Sequence, residues 1–231
     1  MLNQIKKDFQ ELANKEKAKI LSRYFKTGRG QYGEGDIFLG ITVPEQRKLA
    51  KKYINLSLKD IKKLLNSKVH EHRFTALEIL VMKFEKADEN TKKNIFNFYL
   101  KNTKNVNNWD LVDTSAPHIV GEYLLNKDKF IIYKLAKSKN LWERRIAILS
   151  TFKFINNDKF VDTLKISEVL LNDNNDLIQK AAGWMLREVG KRNQEVEEKF
   201  LMKYYKKMPR TMLRYAIERF SEEKRKFYLG K

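Results

Sequence analysis

The sequence predicts an all-α protein built as a solenoid of stacked helical pairs. Three observations predict it. Only three prolines and nine glycines punctuate 231 residues, too few for the turns of an all-β or α/β fold. Apolar residues recur at helical three-and-four spacing along almost the whole chain. Short segments also repeat: Arg73-Phe74-Thr75-Ala76-Leu77, Arg145-Ile146-Ala147-Ile148-Leu149, Lys180-Ala181-Ala182-Gly183-Trp184 and Arg214-Tyr215-Ala216-Ile217. Ala147 to Ala182 is 35 residues and Ala182 to Ala216 is 34, the length of a helical hairpin repeat.

Each element has a local reason. Thr27-Gly28-Arg29-Gly30-Gln31-Tyr32-Gly33-Glu34-Gly35-Asp36 holds four of the nine glycines between two helices. Glycine permits positive φ and close backbone approach, so this loop is either a phosphate contact or a plain surface connection. No Gly-Lys-Ser/Thr follows, which excludes a Walker loop. Thr42-Val43-Pro44-Glu45 starts a helix, with proline in the first turn and Glu three after Thr. Ser57 and Asp60 form a capping box ahead of Ile61, Leu64 and Leu65. In all, about a dozen helices are expected, joined by short Asn-, Asp- and Lys-rich turns. Each repeat places a basic residue two or three positions before a small one. Small residues let helices stack closely, and the basic ones would draw a line of positive charge along one face of the solenoid. The tetratricopeptide pattern of Trp, Leu-Gly and Tyr is missing. HEAT-like pairs, about six in a right-handed solenoid, are therefore the expected architecture, forming a single domain over residues 1–231.

Composition narrows the function. A hydrophobic share of 42% with 33% charged residues describes a foldable chain rather than a disordered one. Lys and Arg outnumber Asp and Glu by 48 to 29, a net charge of +19 spread along the chain rather than gathered in a tail. An excess of that size points to a polyanionic partner. Cysteine is absent, which excludes disulfides, thiolate nucleophiles and Cys-ligated zinc. His70 and His72 are two apart and face different sides of a helix, so no metal and no cofactor is expected. The opening Met1-Leu2-Asn3-Gln4-Ile5-Lys6-Lys7 lacks the apolar run of a signal peptide, and no stretch reaches membrane-spanning length. The expectation is a cytoplasmic, nucleoid-associated monomer with no membrane contact.

The most informative motif is Asn108-Trp109-Asp110-Leu111-Val112-Asp113. On a helix Trp109 and Asp113 lie one turn apart on one face. An aromatic plate beside a carboxylate, on a basic body, suits chemistry on a cationic group carried by a polyanion. Without further context, tryptophans at helical positions are more often core, and Asp113 is more often a solvated acid or a cap near Ser115. Trp142 opens a helix and is read as core.

Four blocks in order carry a resemblance. They are Phe38-Leu39-Gly40-Ile41-Thr42-Val43-Pro44-Glu45-Gln46-Arg47, Trp109-Asp110-Leu111-Val112-Asp113, Trp142-Glu143-Arg144-Arg145-Ile146-Ala147, and Gln179-Lys180-Ala181-Ala182-Gly183-Trp184-Met185-Leu186-Arg187-Glu188. Together they resemble the DNA alkylation repair family, the AlkD-type HEAT-like-repeat DNA glycosylases, from about Tyr24 to Arg214. The resemblance implies a helical solenoid whose basic concave face holds double-stranded DNA containing alkylated purines. It also implies hydrolysis of the N-glycosidic bond of positively charged N3- and N7-alkylated purines without flipping the base. By position, Trp109 and Trp184 would flank the deoxyribose of the lesion, Asp113 would face its anomeric carbon, and Arg145 would hold the neighbouring phosphate. Tyr24, Arg47, Lys153, Arg187, Lys191 and Arg214 would lie near the DNA. Two positions depart from the family pattern: Asn108 stands where a second tryptophan is found, and Val43 replaces a hydroxyl residue beside Pro44. The glycine-rich loop is also longer.

Three other readings compete. A non-catalytic relative binding unusual or branched DNA would gain nothing from a carboxylate facing phosphate. A protein-binding HEAT scaffold has no need of so basic a surface. RNA binding through stacked aromatics would favour single strands over duplex.

Overall fold

The computed structural model describes residues 1–230. Their regular structure is helical: fifteen α-helical segments, two short 3-10 turns and one π-helical segment among the described residues. A lone parallel bridge pairs Ile37 with Val69. No helix among them is long and apolar enough to cross a membrane. The chain forms two compact units, one of Met1–Ser115 and one from Ala116 onward.

The first unit holds α1 (Leu2–Glu11), α2 (Lys15–Tyr24), α3 (Val43–Lys52), α4 (Leu58–Leu65), α5 (His70–Glu85), α6 (Glu89–Lys101) and α7 (Trp109–Ala116). Its centre is α5, buried on nearly every side, with α3, α4 and α6 packed around it. The expected start of α3 is a full capping box: Glu45 Oε2 accepts from the Thr42 backbone N–H at 2.8 Å and from the Thr42 hydroxyl at 2.6 Å. At α4 only half of the expected box forms. Ser57 Oγ accepts from the Asp60 N–H at 3.2 Å, while the Asp60 carboxylate turns to Lys63. Between α2 and α3 the chain passes Gly40 at φ +82°, and a Cβ there would run into the Asn14 carbonyl. Only glycine fits that approach.

The second unit opens with the π-helical segment Pro117–Gly121, followed by α8 (Glu122–Leu124), α9 (Phe130–Ala136), α10 (Leu141–Ile155), α11 (Val161–Val169), α12 (Asp176–Arg192), α13 (Gln194–Tyr204), α14 (Arg210–Ala216) and α15 (Glu222–Leu229). Helix α10 packs on α12, and α12 on α14, while α9, α11 and α13 lean on that row from outside. This is the stacking the repeat predicts within the unit. Its small residues sit at the helix contacts: Ala147, Ala182 and Ala216 have no exposed surface. A Cβ on Gly183 would meet the Met212 carbonyl, so glycine is what lets α12 approach α14. Asparagine starts three of these helices. Asn140, Asn175 and Asn193 accept from the backbone N–H groups of Trp142, Leu177 and Val196 at 2.9, 3.0 and 3.1 Å.

One acid in this unit is not a surface acid. Glu197 is 1% exposed and seats its carboxyl against Gly190, where any side chain would collide with it. Its Oε1 has no hydrogen-bond partner. Burial, with the charges of Glu198 and Glu188 nearby and only Arg187 opposing, pushes its pKa up to about 9. The carboxyl is therefore protonated at neutral pH in the fold, whereas in the unfolded chain it ionises near its ordinary 4.5. The sign follows from linkage: no penalty exists below the unfolded pKa, and stability is lost as pH rises from there towards the folded pKa. Replacing Glu197 with Gln removes the titration and keeps the shape. In thermal unfolding, Glu197→Gln is expected to match the native chain near pH 4.5 and to exceed it by at least ~5 °C at pH 8. A gap that does not change with pH would rule this account out.

Candidate functional site

Helix α7 begins at Trp109, and Asn108 prepares that start. Asn108 is fully buried, and its Oδ1 accepts from the Trp109 backbone N–H at 2.8 Å. Its carbonyl accepts from Val112. The residue in place of a second tryptophan thus serves the helix terminus from inside. Trp109 is half-buried, with its ring stacked on Phe25 (5.2 Å between centroids, 14° between planes) and its edge towards exposed Tyr24 at 6.0 Å. Asp113 follows one turn later, half-buried, as the spacing predicts. Its charge reaches Tyr99, whose fully buried phenol, hydrogen-bonded to Ser115 at 3.0 Å, is held well above its usual pKa range, first by burial.

A buried ionic chain fixes this end of α7. Asp110 Oδ2 bonds His70 Nε2 at 2.8 Å, His70 Nδ1 bonds Asp36 Oδ2 at 3.2 Å, and Arg73 Nη2 donates to the same Asp36 oxygen at 2.6 Å. Burial alone would strip the proton from His70, but Asp110 and Asp36 on either side raise its pKa above the ordinary value. Asp36 is lowered despite its own burial, by His70 and Arg73. His72 faces elsewhere, against Phe9 at 4.5 Å, and burial with Lys6 and Arg73 nearby lowers its pKa to about 4. The two histidines diverge as expected.

Sequence reasoning missed this chain. Asp110 lies inside the quoted motif, but nothing in its spacing marks it as the partner of His70. Asp36 ends the glycine-rich loop, whose turns are set by Gly30 and Gly35 at positive φ and by the Gly30 N–H donating to Glu34 at 2.8 Å. The loop brings Asp36 to His70 and Arg73.

The expected line of basic residues needs correction at Arg73. Its side chain is only 3% exposed and ion-paired to Asp36, so it contributes nothing to a charged surface. The first turns of α5 are wholly covered, and a basic residue there has to find a buried partner.

The remaining site residues of the first unit are accessible. Arg47 on α3 reaches Glu78 at 3.2 Å, and Glu78 also accepts from the Thr114 hydroxyl at 2.8 Å, next to Asp113. Tyr24 is 63% exposed at the end of α2.

In the second unit, Trp184 is half-buried on α12, tilted against Phe152 at 6.1 Å. Its indole N–H donates to Glu188 at 3.0 Å, and Lys191 holds the same carboxylate at 2.7 and 2.9 Å. Arg187 pairs with Glu218, and Lys153 with Glu122 at 2.5 Å. Arg145 is 6% exposed and donates Nη1 to the Leu177 carbonyl at 2.7 Å, so it too is buried rather than part of an exposed basic line. Lys180 bonds Asp176, and Arg214 is exposed on α14. Trp142 is buried, as read.

Similarity to known proteins agrees with these motifs. No curated protein matches the chain. Among solved structures it is similar to a predicted DNA alkylation repair enzyme from Enterococcus faecalis, at 17% identity and a TM-score of 0.70, covering 91% of this chain and 97% of that one. Such a likeness, at such low identity, speaks for the fold. The family described as DNA alkylation repair enzyme matches residues 5–220, across both units and all the site residues above. The chain belongs to the DNA alkylation repair enzyme family.

Proposed function

We propose that the protein is a monofunctional DNA glycosylase, which hydrolyses the N-glycosidic bond of positively charged N3- and N7-alkylated purines in duplex DNA without flipping the base. Residues 1–231 would act as one functional domain, as a monomer in the cytoplasm at the nucleoid. The observation that carries the reading is on α7: Trp109, its ring fixed by Phe25, with Asp113 one turn on, in a chain of net charge +19 from a DNA repair family.

The chemistry follows from charge. A cationic base leaves as a neutral molecule, so departure needs no general acid. The sugar left behind takes on oxocarbenium character, and stabilising it is an electrostatic task. Asp113 provides the negative charge and orients a water for attack. Trp109 and Trp184 are assigned as aromatic faces for the sugar cation, each worth about 0.5–2 kcal/mol. Arg145 is assigned to a phosphate beside the lesion, as a guanidinium can hold one through two parallel hydrogen bonds. Tyr24, Arg47, Lys153, Arg187, Lys191 and Arg214 are assigned to the DNA backbone.

The decisive assay is release of free base from duplex carrying N7-methylguanine or N3-methyladenine, detected by chromatography. Asp113→Asn is expected to slow that release by about two orders of magnitude or more. DNA affinity should hold or rise slightly, since one carboxylate near phosphate is gone. A folded variant with native excision rate would remove Asp113 from the mechanism.

Arg145→Ala is expected to weaken binding and excision together, because a phosphate clamp acts in the ground state as well as the transition state. Native affinity and turnover in this variant would make Arg145 a structural residue.

Duplex affinity should also fall steeply with salt. Neutralising six to ten phosphates costs roughly 10³–10⁵ in affinity between ~50 and ~200 mM salt. A nearly flat dependence would count against the basic surface as the DNA contact.

A further inference from the structure

Helix α7 is tied to α5 at two points. Asp110 Oδ2 bonds His70 Nε2 at 2.8 Å, and one turn later the Thr114 hydroxyl donates to Glu78 Oε1, also at 2.8 Å. Asp110 and Thr114 are four apart and share one face of the helix, while Trp109 and Asp113 share the face beside it. A tie at Asp110 alone constrains the first turn and acts weakly on the second. The tie at Thr114 falls on the residue next to Asp113, and so holds the turn that carries the carboxylate.

Glu78 does more than hold Thr114. It is 7% exposed, and the same oxygen accepts from Arg47 Nε at 3.2 Å. The rest of Arg47 is turned outward, with 57% of its side chain exposed. An ion pair with one partner in solvent adds little to stability, so stability does not account for a carboxylate buried at this place. What the pair does is set a direction. A guanidinium can meet a phosphate through its Nε edge or through the two Nη groups at its end. Glu78 occupies Nε, and among the described residues no other side-chain bond engages Arg47, so the Nη pair remains for a partner outside the protein.

We propose that Glu78 is a positioning residue for excision, one carboxylate oxygen aiming Arg47 at a DNA phosphate and, through Thr114, setting the turn of α7 that carries Asp113. Phosphate and sugar would then be addressed from a single point on α5, the helix around which the first unit packs. Glu78 touches neither DNA nor sugar, and its whole effect passes through its two neighbours. The effect is large because a misplacement of about 1 Å can cost ~10²-fold in rate. The two contacts stand on geometry alone, and their meaning for excision rests on the glycosylase reading.

The test measures single-turnover release of N7-methylguanine from duplex with enzyme in excess, and duplex affinity separately. Glu78→Gln keeps the shape and removes the charge that holds Arg47; release is expected to slow about tenfold or more. Thr114→Val removes the hydroxyl and keeps the branched shape, and should slow release several-fold at native affinity. Thr114→Ser, which keeps the hydroxyl, should recover most of that rate. Combining Glu78→Gln with Thr114→Val should slow release no further than Glu78→Gln alone, since both losses act through one oxygen. Arg47→Ala should weaken duplex binding several-fold in the native chain and by less in the Glu78→Gln chain. A merely structural Glu78 would lower the unfolding temperature and leave the rate of the folded protein unmoved. That result overturns the proposal, and so do losses that multiply in either double variant. If Glu78→Gln fails to fold by circular dichroism, the Thr114 pair decides: a native rate in Thr114→Val, or no recovery in Thr114→Ser, overturns it. No release by the native chain sinks the glycosylase reading, whereas release by the native chain with native rates in these variants sinks the role of Glu78 alone.

Discussion

The ionic chain Asp110–His70–Asp36–Arg73 holds the first unit's functional end in place. Three separate pieces of sequence meet there: the end of the glycine-rich loop, the first turn of α5 and the first turn of α7. Side chains in it are between 3% and 15% exposed, so each charge has lost most of its water. A chain of this kind holds together only when its charges balance. Two carboxylates face one guanidinium, and protonation of His70 supplies the second positive charge that balances them. That is why the pKa of His70 is raised in spite of its burial. His70, with its raised folded pKa, contributes stability that is complete below its ordinary value near 6.5 and is lost as pH rises through the raised one.

The consequence for Trp109 is direct. Asp110 is its chain neighbour, and with Asp110 tied to His70 the first turn of α7 cannot rotate. The indole is then pinned on its face by Phe25, whose ring also stacks on Phe38 at 5.0 Å. Asp113, one turn on, inherits that orientation through the helix. Electrostatic catalysis depends on charges that do not have to move when the transition state forms. On the proposed reading, a carboxylate positioned by helix geometry, on a helix anchored by a buried ionic chain, meets that requirement. The second unit follows the same logic with other means: Glu188 holds the Trp184 indole N–H, and the Leu177 carbonyl holds Arg145.

What could be read from the sequence divides along a physical line. Helical class, the Thr42–Glu45 box, the buried alanines at repeat spacing and the shared turn of Trp109 and Asp113 are all local or periodic. They follow from i, i+3 and i, i+4 geometry. Arg73 was misjudged because periodicity gives a residue's phase on its own helix and says nothing about whether another segment covers that face. Asp36 was invisible for the related reason that its partners lie 34 and 37 residues away. Glu197 sits in the run Glu195-Val196-Glu197-Glu198, which reads as solvated charge, and it is buried because Gly190 leaves room for it. Glu71 and Gln46 are the same case, since they find their partners only once the Leu39–Ile41 loop lies across them.

These buried polar groups carry a further lesson about where function resides in a helical repeat. A repeat supplies nearly identical helix contacts, and in the second unit these are made mostly by apolar and small residues, with Arg145 and Glu197 the buried charged side chains. The first unit departs from that economy, burying two histidines, Arg73, Glu71, Gln46 and Glu78 around α5. Each costs desolvation that an apolar side chain of similar size would avoid. Groups of that kind specify one arrangement, because a carboxyl or imidazole tolerates few alternative partners while a leucine tolerates many. The cost is concentrated next to α7, on the loop and helix that anchor it, where on the proposed reading a displacement of about 1 Å would cost the most in rate. Precision at one end of the chain is thus provided by polar groups that stability alone would not select.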